Sequence, residues 1–413
     1  MNDRELSSGT AYMAKTALLV VSLFGFAMAA VGSLLAQEAG GGTVSPSAQP
    51  ATAYLDYQEV SFSLSQWYHV VTARSGAFKK EPPFGRNSVF RGTLPLGGGE
   101  TNEMAFAWDR TAGVLYFDLN RNLDLTDDPA GVFTSDHRSG LNYQRFNKVH
   151  VPMKTTAGTC QALVDLNCYD YGGMTCNVML RSCWQGKVTL QGVEWQIGLV
   201  AHPFEQKAFF EGSSLLLRPW SEHNQPFSTD SGSLETFPFS QKVFVGNHAY
   251  QLQCTAEPQG TAPRVRVQFT EQTPALGDLK VTGVFLQRVT LEGGDYMVVL
   301  DRPEAVVKVP VGSYKRFNAC LKIGGMEAHF NWPAEVVEKR LVVSAQKPLL
   351  LPVGGPLTNS VSVIAQGRKV WLVYELVGAG GTYQLVNQDR AHPPEFTVYL
   401  GDTKIASGTF EFG

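Results

Sequence analysis

At 413 residues the chain is longer than one ordinary core accommodates, and its length suggests two or three domains. Hydrophobic residues make up 44% and charged residues 17%, which excludes a disordered chain. A formal net charge of −3 offers no electrostatic basis for binding nucleic acid or an anionic membrane surface, so neither is an expected partner on that ground.

The first predicted element is an address. Thr16 to Ala36 carries no charge, Arg4 and Lys15 precede it, and Ala29, Ala30, Ser33 and Ala36 are small enough for a signal peptidase. The same segment is long enough to remain as a membrane anchor. Residues 1–36 are therefore read as a signal peptide or N-terminal anchor, the one expected contact with a membrane, with Met13 as an alternative start. Export to the periplasm, the cell surface or the medium follows. Residues 37–53, "QEAGGGTVSPSAQPATA", have the composition of a flexible linker.

Strand signals begin near Tyr54 with the alternating "YQEVSFSLSQW" and recur, with turn signals, every roughly 8–12 residues, as in a sandwich or barrel. Val114–Phe117 reads as an apolar strand. It runs into "DLNRNLDLTDDP", where Asp118, Asn120, Asn122 and Asp124 alternate along a turn. Oxygens at positions one, three and five, a carbonyl at seven and the hydroxyl of Thr126 at nine are what a loop needs to wrap a hard cation such as calcium. Asp128, or Asp127 in a tightened loop, would supply the closing acid. The spacing departs from a calcium loop at position six, where Leu123 replaces glycine, and at twelve, which is Pro129. A weak calcium site, a plain polar turn held by its own side chains, and another role for these carboxylates all remain open.

Four of the six cysteines cluster at 160, 168, 176 and 183 around the turn signal "YDYGGM". Hairpin pairing would set Cys168 against Cys176 and, with one bulge, Cys160 against Cys183; disulfides suit an exported chain. The gaps lack the short knuckle of a zinc site. Cys254 and Cys320 are left as a long-range bridge or two buried thiols. "KVTLQGVEWQIGL" predicts a hairpin turning at Gln191-Gly192, with Val188, Leu190, Val193, Trp195, Ile197 and Leu199 on one apolar face. A boundary falls in "TEQTPALGDLK", near 270–280. Beyond it "VKVPVGSY" (307–314) predicts a strand and a turn that presents Tyr314 to a core. Residues 333–340 could form one helical turn, and "FTVYLGDTKIASG" a last hairpin.

The expected architecture is mainly β: a disulfide-bearing antiparallel β domain over 54–275, followed by one or two immunoglobulin-like β-sandwich modules over 276–413. "VKVPVGSY" resembles the signature of small immunoglobulin-like or prealbumin-like modules of secreted bacterial proteins. The Asp118 loop, "EPPF", "LPLGGG" and the terminal "GTFEFG" (408–413) together resemble a functionally uncharacterised group of exported bacterial β proteins. Their loops read Asp-x-Asn-x-Asn-Gly-Asp-Leu-Thr-Asp, and they end in Gly-x-Phe-Glu-Tyr-Gly. The resemblance covers about a third of the chain and implies location, architecture and an ion at the loop.

No nucleophile elbow, metalloprotease helix, phosphate loop or redox CxxC pair occurs. His202 and His392 precede prolines and read as turn residues, and His69 as part of a packed strand face. Trp67, Trp108, Trp184, Trp195, Trp220, Trp332 and Trp371 are candidates for stacking on sugars, most of them expected in cores. The sequence favours a non-enzymatic binding or structural protein with a protein or glycan of the cell envelope as partner. A hydrolase of envelope polysaccharide or peptide, with its acids within 54–275, is the alternative.

Overall fold

The computed structural model describes residues 50–66, 78–96, 103–171, 173–204, 210, 212–227, 234–260, 262–330, 340–366, 369–386 and 393–410. Residues 1–36, read as a signal peptide or anchor, Trp67, His69, Trp332, most of 333–340, His392 and the last three residues lie outside them. No helix among the described residues is long and apolar enough to cross a membrane.

The described residues are mainly β, with strands in several sheets. The helical pieces among the described residues are two single 3-10 turns, Pro129–Gly131 and Trp220–Glu222. Two long strands organise the first part. Ala51–Gln66 begins inside the segment read as linker; its first residues pair with Arg264–Gln272, and from Asp56 onward it pairs with Met174–Leu190. Met174–Leu190 in turn pairs with Gly158–Asp170 at one end and with Val193–Val200 at the other. One strand thus serves three neighbours.

Burial alternates along Tyr143–Thr155 and the start of Ala51–Gln66, whereas Val193–Val200 is buried on both faces from Trp195 onward. In the hairpin at Gln191-Gly192 both turn residues take positive φ, 49° and 80°, the turn that matches the twist of paired strands. Val188, Leu190, Trp195, Ile197 and Leu199 are buried beyond it, whereas Val193, at the strand end, is exposed.

Two apolar clusters form. The larger is centred on Trp108, Phe117, Phe146, Trp184, Leu216 and Phe269. The smaller runs from Phe244 and Ala249 to Leu279, Val309, Tyr314, Leu321, Phe330 and Tyr383. They are joined through the sheet: Lys242–Val245 pairs in parallel with Met297–Asp301. Tyr314 is buried in the smaller cluster and its hydroxyl donates to the Pro310 carbonyl at 2.8 Å, so the Pro-Val-Gly-Ser-Tyr turn is closed by its own tyrosine.

The cysteines behave differently from expectation. All six are thiols. Cys168 and Cys176 do stand opposite one another, with sulfurs 3.3 Å apart. Cys160 instead faces Met153, and Cys183 faces Gln58. The nested pair does not form because the ladder between Met174–Leu190 and Gly158–Asp170 ends at Val164 and Leu180, which leaves Cys160 and Cys183 beyond it. Cys254 and Cys320 form no long-range bridge: Cys254 faces Val267, while Cys320 sits between Arg288 and His329.

Candidate functional site

Asp118 follows Val114–Phe117 directly, and its backbone N–H donates to Ala105 in the neighbouring strand at 2.9 Å, which draws the residue inward until 1% is exposed. Its carboxylate is then used on the loop itself. One oxygen accepts the N–H of Asn122 at 3.0 Å and the other that of Leu123 at 2.9 Å. Side-chain turns continue downstream: Asn120 Oδ1 accepts from Asn122 N, Asn122 Oδ1 from Asp124 N, and Asp124 Oδ1 from both Thr126 N and Thr126 Oγ1. The loop is thus held by a succession of side-chain turns, formed without a glycine at its sixth position.

Leu123 adopts φ 66° and Arg121 φ 64°. A left-handed non-glycine residue costs about 1–2 kcal/mol. At Leu123 the conformation is stabilised by the bond to Asp118 and by the direction it sends the next carbonyl. Leu123 O accepts the N–H of Lys79 at 2.8 Å, and Leu125 N donates back to Lys80 O at 3.0 Å. Leu125 is buried beneath, and the loop clasps the 79–80 segment through the Lys80–Asp124 bridge.

The six residues expected to hold an ion are therefore not equivalent. Asp118, Asn120 and Asn122 converge, and each oxygen that accepts one N–H keeps a second lone pair for a cation. The two amide nitrogens, however, both grip Asp127, Asn120 at 3.1 Å and Asn122 at 2.6 Å. Asp127 is the acid that closes the loop. Asp128 instead accepts the backbone N–H of Asn120 at a longer 3.4 Å, and burial raises its carboxyl above the usual range. Asp124 and Thr126 form the next turn, and the hydroxyl and N–H of Thr126 hold the Asp124 carboxyl below its ordinary value. The donor set fits a hard cation at Asp118, Asn120 and Asn122. Each of these oxygens already accepts a loop N–H, so an ion would share them with the loop's own hydrogen bonds.

A second concentration of charge joins the two apolar clusters. Arg218, with 0% of its side chain exposed, donates to five oxygens: Gln196 Oε1, Glu235 Oε1 and the carbonyls of His223, Gln225 and Pro226. Glu235 also lies 3.9 Å from Arg288, which bonds Glu222 at 3.0 Å and Asp301 at 3.2 Å. Three carboxylates thus converge on Arg288, two from the 219–238 segment and one from Met297–Asp301. Beside Arg288, on the same sheet face, lie Cys320, Glu327 and His329.

The histidines and tryptophans sort by burial. His202 is buried, and desolvation pushes its imidazole down to about 3, so it stays neutral and is no base at neutral pH. Trp108, Trp184 and Trp195 are core residues, and Trp220 stacks on His223 at 4.2 Å. Trp371 is the exception, with 55% exposed on the hairpin of Gly354–Gln366 and Lys369–Ala379.

The charge network and the Cys320 group were missed in the sequence because their members belong to different strands and loops, with bonded partners as far apart as Glu222 and Arg288, 66 residues. The "KIGGME" turn signal was the one local clue, since it sets Cys320 opposite His329. Comparison with protein-family models, curated proteins and solved structures found no match. The fold and site define a class, a mainly β protein with a self-closed acidic loop and an exposed aromatic hairpin.

Proposed function

We propose that this chain is an exported, non-enzymatic binding protein of the bacterial cell envelope, with immunoglobulin-like modules in its second half, and that it binds glycan through the 354–379 hairpin. The observation that carries this reading is Trp371. Ile364 stands opposite it and Ser362 opposite Val373, so all four share one sheet face with Glu375, whose carboxylate accepts from the Ser362 hydroxyl at 3.1 Å. Trp371, Ile364 and Val373 are all exposed. An open indole beside a hydroxyl–carboxylate pair offers a sugar ring both a stacking surface and hydrogen bonds. Glu222 and Glu235, two carboxylates of the 54–275 segment, are engaged by guanidiniums.

In this reading the Asp118 loop is a brace that calcium tightens weakly, in the range of about 10⁻⁴–10⁻³ M. The Cys168 and Cys176 thiols close to a disulfide in the oxidising compartment. The test is co-sedimentation with purified envelope polysaccharide, with indole emission as a second readout. Trp371→Ala is expected to abolish retention while leaving the melting temperature unchanged. Wild-type protein that neither sediments nor changes its emission, or that binds only envelope protein, would overturn the glycan assignment.

A further inference from the structure

The strands Arg316–Ile323 and Met326–Phe330 form a hairpin whose register sets Cys320 opposite His329 and Lys322 opposite Glu327. Directly opposed residues project from the same face of a sheet, and so do residues two apart on one strand. Cys320, Glu327 and His329 are therefore brought to one spot by local topology alone. The result is tight: one sulfur, one carboxylate oxygen and one ring nitrogen all lie within 4.8 Å of one another, and His329 Nε2 is 3.1 Å from Glu327 Oε1.

We propose that Cys320, Glu327 and His329 form a binding site for a divalent transition-metal ion of the zinc type. Tetrahedral coordination with bonds of about 2.0–2.3 Å needs ligand atoms roughly 3–4 Å apart, the scale of this cluster. A thiolate, an imidazole and a carboxylate are the donors such an ion takes, whereas calcium and magnesium prefer oxygen alone. Three protein ligands leave a fourth position for water or a ligand oxygen.

The surroundings favour a cation despite the neighbouring Arg288. Glu222, Glu235, Asp301 and Glu327 bring four negative charges to the region against three cations, the buried guanidiniums of Arg218 and Arg288 and the ammonium of Lys322 opposite Glu327. Arg302 reaches Asp301 only at 4.0 Å, from a largely exposed position. Access is open as well: Cys320 is buried, but the side chains of Glu327 and His329 are 33% and 29% exposed, so an ion enters from their side. Without metal, burial holds the Cys320 thiol well above its ordinary value, and the His329 hydrogen bond holds the Glu327 carboxyl below its own. Binding would thus release the Cys320 proton, as metal thiolate sites do.

The test uses the full chain, stripped with chelator and titrated with Co²⁺, then with Zn²⁺ in competition. One equivalent of cobalt with a thiolate-to-metal charge-transfer band is expected, displaced by zinc. Cys320→Ser should remove the band. His329→Gln and Glu327→Gln, both at part-exposed positions that do not threaten folding, should weaken binding by at least about tenfold. Asp118→Ala should leave it unchanged, which separates this site from the acidic loop. No charge-transfer band in the wild-type protein, or equal affinity in the His329 and Glu327 variants, would overturn the assignment. Either outcome is independent of whether the hairpin binds glycan.

Discussion

Replacing Arg288 by methionine tests how the two apolar clusters are held together. The side chain is 3% exposed, so methionine fills most of its volume while the charge is lost. Glu222 and Asp301 then lose a partner at 3.0 and 3.2 Å in sites where they are only 13% and 17% exposed. Glu235 keeps Arg218 at 3.1 Å and is partly protected. Breaking a buried ion pair from one side costs about 3–5 kcal/mol, and the retained Glu235 contact places this case near the lower end, about 3 kcal/mol. At about 2–4 °C per kcal/mol, the melting temperature should fall by about 6–12 °C.

The pH dependence has a definite sign. Burial already holds the Asp301 carboxyl above its ordinary value, so the folded state binds that proton more readily than the unfolded state. A carboxyl of this kind weakens the fold at neutral pH, and the penalty is relieved as pH falls through the raised value toward the ordinary one near about 3.9. Without Arg288 the rise is larger, so the deficit of Arg288→Met should shrink on acidification. Asp301→Asn on the same background should recover part of it at pH 7. Calorimetry from neutral to acid pH measures both. A loss under about 1 kcal/mol, or a deficit that grows in acid, would refute the view that Arg288 is held by carboxylates that need it.

Leu123→Gly should be neutral or stabilising by up to about 1 kcal/mol in chemical denaturation, since relief of the left-handed strain outweighs the flexibility glycine adds; it should also tighten calcium. Asp118→Ala removes the acceptor for two loop N–H groups and should cost about 2–4 kcal/mol. It should also abolish any rise in melting temperature on adding millimolar calcium. His202, held neutral in the fold, contributes stability that is complete above about pH 6.5 and lost as pH falls, at about 1.4 kcal/mol per pH unit. His202→Leu should flatten that slope relative to the wild-type protein. Tyr314→Phe leaves the Pro310 carbonyl without its buried donor and should cost about 1–2 kcal/mol, read from the denaturation midpoint.

What could be read directly was local. The strand Val114–Phe117, the Gln191-Gly192 turn, the pairing of Cys168 with Cys176 and the burial of Tyr314 all follow from residues a few positions apart. There side-chain alternation and turn chemistry decide the outcome. The alternating oxygens from Asp118 to Asp124 left a turn held by its own side chains as one of the open readings, beside a calcium site. The choice of Asp127 over Asp128 as its closing acid could not be read, because it depends on where two amide nitrogens point once Asp118 has turned the backbone.

By itself, then, the amino-acid order determined a chain of short strands and tight turns, with the acidic loop in its place, because β alternation and turn propensity act within a few residues. Tertiary structure alone decided that Cys183 pairs with Gln58, that three carboxylates meet at Arg288, and that Trp371 stays outside while Trp108 and Trp184 are buried. Those outcomes depend on which strands become neighbours. That is set by the burial of whole sheet faces across hundreds of residues, a term with no signature in any short stretch of sequence.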